Sequence, residues 1–247
     1  GRVLISEGMV EAALDATPLA FSLFDVLGRE THRFEGARTH FTPGSAAINI
    51  LDRTSGAIRP ASTPDLVALA KLVSRLERMD AQSTALVSSD VPEAVSDSYR
   101  LFINLLYCEK AVVTGTFSIA GLPVMRDLLL AVRGTATELA ARPLALFTCC
   151  PTSPLRWTDE GVRDLVDCAR AGIPVEIVPV PLTGFMAPVT LVGTLIQHTA
   201  EVLSGVVIAQ LARPGSPLLF GGSPAIFDLR YETTPMGAIE TSMLTAA

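Results

Sequence analysis

The sequence predicts an α/β protein, a (β/α)8 TIM-type barrel left incomplete, preceded by a mixed α/β segment. Three observations lead there. Short, continuously apolar runs alternate with stretches of helical periodicity, the mark of a parallel sheet covered on both faces. The loops after the runs are rich in Pro, Gly, Ser and Thr, as expected where loops gather at one functional rim. A doubly wound nucleotide-binding sheet lacks its signature, because no G-x-G-x-x-G follows a strand and no G-x-x-x-x-G-K-S/T occurs.

Residues 1–60 form the mixed segment. In it "AFSLFDVLG" reads as strand and turn, and "THFTPGSAAINILDRTSGAIRPAS" as a hairpin turning at "RTSG". Residues 61–247 carry the barrel rhythm. Thr63, with Pro64 at the first helical position, opens a helix whose Leu66, Leu69, Ala70, Val73 and Leu76 share one face. Predicted strands are "TALVSS" (84–89), "AVVTGTF" (111–117), "PLALFTCC" (143–150), "PVEIVPV" (174–180) and "SPLLFGG" (216–222). Helices are expected near 92–108, 122–141, 158–171 and 188–212. That makes about five βα units where a closed barrel needs eight, so the chain is expected to be an internal fragment of something longer.

Composition narrows the chemistry. With 247 residues, 49% hydrophobic, and a mean hydropathy of +0.43, the chain can bury a large core. A net charge of −6 without any Lys/Arg run argues against nucleic acid. Lys71 and Lys110 are the only lysines, and neither is placed for Schiff-base chemistry. Cys108, Cys149, Cys150 and Cys168 make no C-x-x-C and read as reduced thiols, and no signal peptide pattern opens the chain. A cytoplasmic protein is expected. The apolar stretch from Thr190 to Leu211 is interrupted by Gln197, His198, Glu201 and Gln210, so it reads as a buried helix and not as a membrane span.

Over residues 149–247 the landmarks "SPLR" (153–156), "GIPVEI" (172–177), "G..APVTL.G" (184–193), "AE.L.G" (200–205), "Q..RPG.P" (210–217) and "D.R....PMGA.E" (228–240) occur in order. This run resembles the trimethylamine methyltransferase family, the corrinoid-dependent methylamine and quaternary-amine methyltransferases. "HFTPGSAAINILD" and "AVVTGT" extend the likeness into the first half. Thr199 stands where Asn is expected, and Ile239 where many members have Pro. The resemblance implies a barrel whose mouth binds a methylated amine and docks a separate corrinoid protein, whose Co(I) attacks the methyl group. No cofactor is bound directly, no metal ligands converge, and a homo-oligomer is expected. It also implies longer members, those acting on trimethylamine carrying pyrrolysine in C-terminal strands.

Glu176, a charge inside the apolar strand "PVEIVPV", is the candidate catalytic residue. Unpaired, it would shift toward its neutral form, so it needs either a structural arginine or the positive amine. Phe41, Phe117 and Phe185, with Phe227 and Tyr231, fall in or beside rim loops, where ring faces suit a methylated ammonium, unless they merely cap the core. Arg156, Arg230 and Thr190 are candidates for a betaine carboxylate, and Ser223 and Asp228 complete the substrate-binding set. Asp228 and Arg230 could equally pair with each other. Thr190, Thr194, Gln197, Glu201 and Ser204 form one helical stripe, expected to be a satisfied polar seam with only Thr190 reaching the mouth. His198 lies off that stripe and reads as packed. A quaternary amine such as a betaine is favoured, since it leaves as a neutral amine and needs no strong acid. The rival reading is a non-catalytic subunit that binds a cationic ligand or the corrinoid partner.

Overall fold

The computed structural model describes residues 1–118 and 120–247. In chain order its elements are α1 (Glu7–Ala16), β1 (Phe21–Phe24), β2 (Glu30–Phe34), β3 (Asn49–Leu51), β4 (Ile58–Pro60), α2 (Thr63–Arg75), β5 (Gln82–Ser83) and α3 (Glu93–Tyr107). Then follow β6 (Val112–Thr114), α4 (Gly121–Arg133), α5 (Ala136–Ala141), β7 (Ala145–Cys149), α6 (Asp159–Ala171) and β8 (Val175–Ile177). The chain closes with β9 (Leu182–Thr183), α7 (Leu191–Ala212), β10 (Leu218–Phe220), β11 (Ala225–Ile226) and α8 (Ile239–Ala246). It is a mixed α/β fold with eight helices among the described residues and a five-stranded parallel sheet of order β10-β8-β7-β6-β5. The sheet is open: the described strands do not make a ring of eight.

Two compact units divide the chain, the first made of residues 1–18, 148–170 and 175–247, the second of residues 19–147 and 171–174. In the second unit, Ala61, Leu66, Leu86 and Ile103 form a buried cluster with Ile50, Val67, Leu69 and Tyr99 packed on it. Each Leu or Ile side chain of the cluster removed from water contributes about 1.5–3 kcal/mol. The hairpin of β3 and β4 turns at 52–57, where Asp52 accepts the Thr54 and Ser55 backbone N–H groups at 3.0 and 2.9 Å. Helix α2 is capped one residue earlier than expected, by Ser62, whose N–H donates to the Asp65 carboxylate at 2.9 Å. The single helix expected at 122–141 is two, because Gly134 adopts φ +86 and ends α4. β5 ends at Ser83, just before the run in which its strand was expected.

In the first unit, α7 is long and apolar enough to cross a membrane by length and composition. It packs against α1, α8, β8 and β9, with 39% of its apolar window buried. Its backbone comes close to β8 at Gly205, where an added Cβ would lie 2.8 Å from Ile177 Cδ1 and 2.9 Å from Trp157 Cζ2. Alternation along β8 follows: Val175 and Ile177 are buried, Ile177 beneath α7, and half-buried Glu176 turns to the other face. A second parallel pair, β9 with β11, was not expected from the sequence. Neither were α1, β2 and α8, whose short or exposed segments carry weak periodicity.

Candidate functional site

Glu176 faces away from α7 and receives a hydrogen bond from the hydroxyl of Thr148 on β7, also half-buried. Burial pushes its carboxyl above the usual range, and the Thr148 hydrogen bond opposes that shift. None of the ion pairs among the described residues involves Glu176. The structural arginine considered from the sequence is therefore not there; a neutral hydroxyl takes its place. A half-buried carboxylate held only by a hydroxyl pays a desolvation cost on ionising, and an arriving cation would offset it. Thr148 is the neighbour of Glu176 that sequence reasoning missed. Its signal was a lone hydroxyl in the apolar strand "PLALFTCC".

The polar stripe on α7 is fully engaged. Thr190 is the N-cap, accepting the Gly193 N–H at 3.2 Å, so its oxygen serves the helix end and the helix starts at Leu191. Thr194 donates to Pro188 O at 3.1 Å and shares a 2.8 Å bond with Thr183. Gln197 Nε2 donates to Met186 O and to Glu201 Oε1, both at 3.0 Å. Glu201, 0% exposed, also accepts from Ser153 Oγ at 2.8 Å and from the Leu155 N–H at 2.9 Å. Ser204 donates to Glu201 O at 2.7 Å and accepts from Trp157 Nε1 at 2.9 Å. His198 is buried with its ring 5.7 Å from that of Phe220, and burial lowers its pKa against the opposing hydrogen bond with the Gly221 backbone and the charge of Glu201. The loop after β10 needs glycine at 222, where a Cβ would fall 1.8 Å from His198 Nε2.

Of the sequence-predicted residues, Arg156, Glu176, Phe185, Thr190, Ser223, Asp228 and Arg230 belong to the first unit, and Phe41 and Phe117 to the second. Phe185, exposed, stacks on Phe227 with ring centroids 4.6 Å apart. Arg230 is paired: its N–H and Nη2 donate to the two Asp228 oxygens at 2.9 Å each, which holds the Asp228 carboxyl below its ordinary range. Its guanidinium also lies 5.6 Å from the Tyr231 ring. Arg156 is exposed and forms no ion pair among the described residues. Ser223 is half-buried, its N–H on Pro179 O at 3.0 Å.

In the second unit, Phe117 donates its N–H to Asp97 Oδ2 at 2.7 Å, and the Arg100 guanidinium sits 5.0 Å from its ring. A ring already facing a guanidinium is a poorer receptor for another cation than a free one. Phe41 is exposed, with its N–H on Asp80 Oδ2 at 2.8 Å. Cys149 is buried with its thiol pKa pushed up by desolvation, as is that of Cys168, so neither is disposed to be a thiolate, while Cys150 is exposed. Among the described residues no group of three or more His, Cys, Asp or Glu side chains is placed to hold a metal ion.

The family model "Trimethylamine methyltransferase (MTTB)" matches residues 1–247. A trimethylamine methyltransferase MttB of Desulfitobacterium hafniense is 28% identical over 99% of this chain and 49% of its own length. One from Methanosarcina thermophila is 31% identical over 99% of this chain and 52% of its own. A glycine betaine methyltransferase of Desulfitobacterium hafniense is 24% identical over 100% of this chain and 51% of its own. The chain thus spans about half the length of the curated relatives it matches.

Proposed function

Because the chain belongs to the trimethylamine methyltransferase family, we propose that the whole protein moves a methyl group from a methylated amine to the Co(I) of a corrinoid carried by a partner protein. The observation that carries this reading is Glu176, a half-buried carboxylate with a raised pKa, a hydroxyl for company and no cation. Such a group is a receptor for a positive nitrogen. Relatives named for trimethylamine and for glycine betaine have substrates whose nitrogen is positive or becomes so on protonation.

The five parallel strands are read as the consecutive strands of a (β/α)8 barrel occupying residues 61–247 and completed by the rest of the longer protein. Unlinked cysteines suit a reducing cytoplasm.

Reduced cobalt supplies the nucleophile, and this chain supplies binding, orientation and exclusion of water. As the C–N bond breaks, its electron pair stays on nitrogen, so positive charge leaves the amine while the methyl departs. Glu176 holds the ammonium in the ground state, and the desolvation cost of its half-buried carboxylate offsets part of that attraction, which keeps it from trapping the cation. The stacked pair Phe185 and Phe227 offers a ring face worth about 0.5–2 kcal/mol to an onium group. Arg156, with no carboxylate partner, favours a substrate with an anionic end, which makes a betaine the preferred donor.

The test is to incubate the complete protein with a Co(I) corrinoid protein and a panel of methylamines and betaines, following cobalt methylation by its absorbance. Methylation with at least one quaternary amine is expected. Silence across the panel alongside measurable binding of the same amines would replace the enzyme reading with a binding-only one.

A further inference from the structure

Resting on that reading, we propose that Glu201 is a positioning residue that clamps two loops, 153–157 and 183–188, and so sets Arg156 and Phe185 for the substrate. Its carboxylate is wholly buried on α7, yet two of its three donors come from the loop 153–157. Ser153 Oγ reaches Oε2 at 2.8 Å, the Leu155 N–H reaches Oε1 at 2.9 Å, and Gln197 Nε2 reaches Oε1 at 3.0 Å. Gln197 carries the same contact onward to Met186 O at 3.0 Å, next to Phe185. A buried carboxylate contacting only neutral donors is a costly way to hold a helix in place, since an apolar residue would pack there without that cost.

The loop it holds is strained. Leu155 has φ +52, left-handed backbone that a branched side chain adopts only when its surroundings impose it. Its own side chain cannot impose it, being 64% exposed. The backbone N–H on Glu201 can, helped by the mutual Thr152 and Arg156 backbone bonds at 2.8 and 3.0 Å. The residue presented immediately after this kink is Arg156. Removing the clamp should therefore free Arg156 first, and the loss should be greater for an onium substrate with a carboxylate than for one without.

The experiment compares the full-length protein with its Glu201→Ala, Glu201→Gln and Ser153→Ala variants. Substrate KM and kcat are read for glycine betaine and for a carboxylate-free quaternary amine, and trypsin cleavage after Arg156 is timed well below each melting temperature. For Glu201→Ala, KM for betaine should rise about tenfold or more with kcat within about threefold, and less for the carboxylate-free amine. Cleavage after Arg156 should accelerate about tenfold, and Glu201→Gln, whose carbonyl still accepts two of the three donors, should recover most of both losses. If Glu201→Ala does not fold, Ser153→Ala carries the same expectations at smaller size. Unchanged KM with a lowered melting temperature would overturn the proposal in favour of a structural carboxylate. If the wild type methylates no cobalt, the functional reading fails separately, and the clamp is then judged by proteolysis, where an unchanged cleavage rate overturns it.

Discussion

Two carboxylates, one in each unit, are treated in opposite ways. In the second unit Asp97, 5% exposed, meets Arg100 Nη2 at 2.7 Å, and that arginine, 2% exposed, also donates to Thr84 O at 3.0 Å. The charges cancel, and what the pair achieves is local: it closes β5 and pins Phe117. In the first unit Glu176 has only the Thr148 hydroxyl. The comparison teaches that a buried carboxylate matched by an arginine is committed to the fold, while the one left with a hydroxyl is the one proposed to meet a ligand.

The largest effect that could break this comparison lies in the matched pair. Arg100→Met should cost about 3–5 kcal/mol in chemical denaturation, because it strands Asp97 as an uncompensated buried charge. A loss under about 1 kcal/mol would mean the pair is not what holds that region, and the contrast would dissolve. Next, His32 in the second unit is 2% exposed, and burial, followed by the charge of His40, lowers its pKa to about 4. Its folded value lies below the unfolded 6.5, so the stability it leaves intact above pH 6.5 is lost as pH falls toward about 4. That amounts to up to about 3 kcal/mol. His32→Gln should flatten the stability profile over this window, and an unaltered slope would assign the acid sensitivity elsewhere.

Smaller is the packing effect of Gly205→Val, which should cost about 1–3 kcal/mol by driving a side chain into Ile177 and Trp157. It sharpens the comparison by separating the two faces of β8: the variant damages stability on the helix side and should leave affinity for a quaternary amine per folded molecule unchanged. The smallest effect on stability belongs to Glu176→Gln. A carboxyl whose folded pKa is raised is most stabilising below its unfolded value and loses that stability as pH rises. Removing the charge should therefore leave the melting temperature at neutral pH the same or higher.

Much of the fold was legible because burial on both faces writes itself into a strand. "PLALFTCC" and "PVEIVPV" contain β7 and β8, and the 3.6-residue periods located α2, α3, α6 and α7. Pieces decided by tertiary contact were not legible: the β9 and β11 pair is two residues a strand, too short for any period to register. In the site, Glu176 stood out as a charge among apolar neighbours, and the Gln197 to Glu201 contact followed from helical spacing. Thr148 and Ser153 did not stand out, since which hydroxyl meets which carboxylate depends on strands and loops far apart in sequence. Nor did the guanidinium at Phe117, which weakens that ring as a cation receptor.

One titration tests the central claim most directly: calorimetric binding of glycine betaine to the full-length protein and to its Glu176→Gln variant at neutral pH, with melting curves taken on the same samples. The expected result is affinity weaker by about tenfold or more, about 1.4 kcal/mol, with no loss of melting temperature. Equal affinity in the two proteins, or a fall in melting temperature that accounts for the weaker binding, would contradict it and return Glu176 to the structural carboxylates.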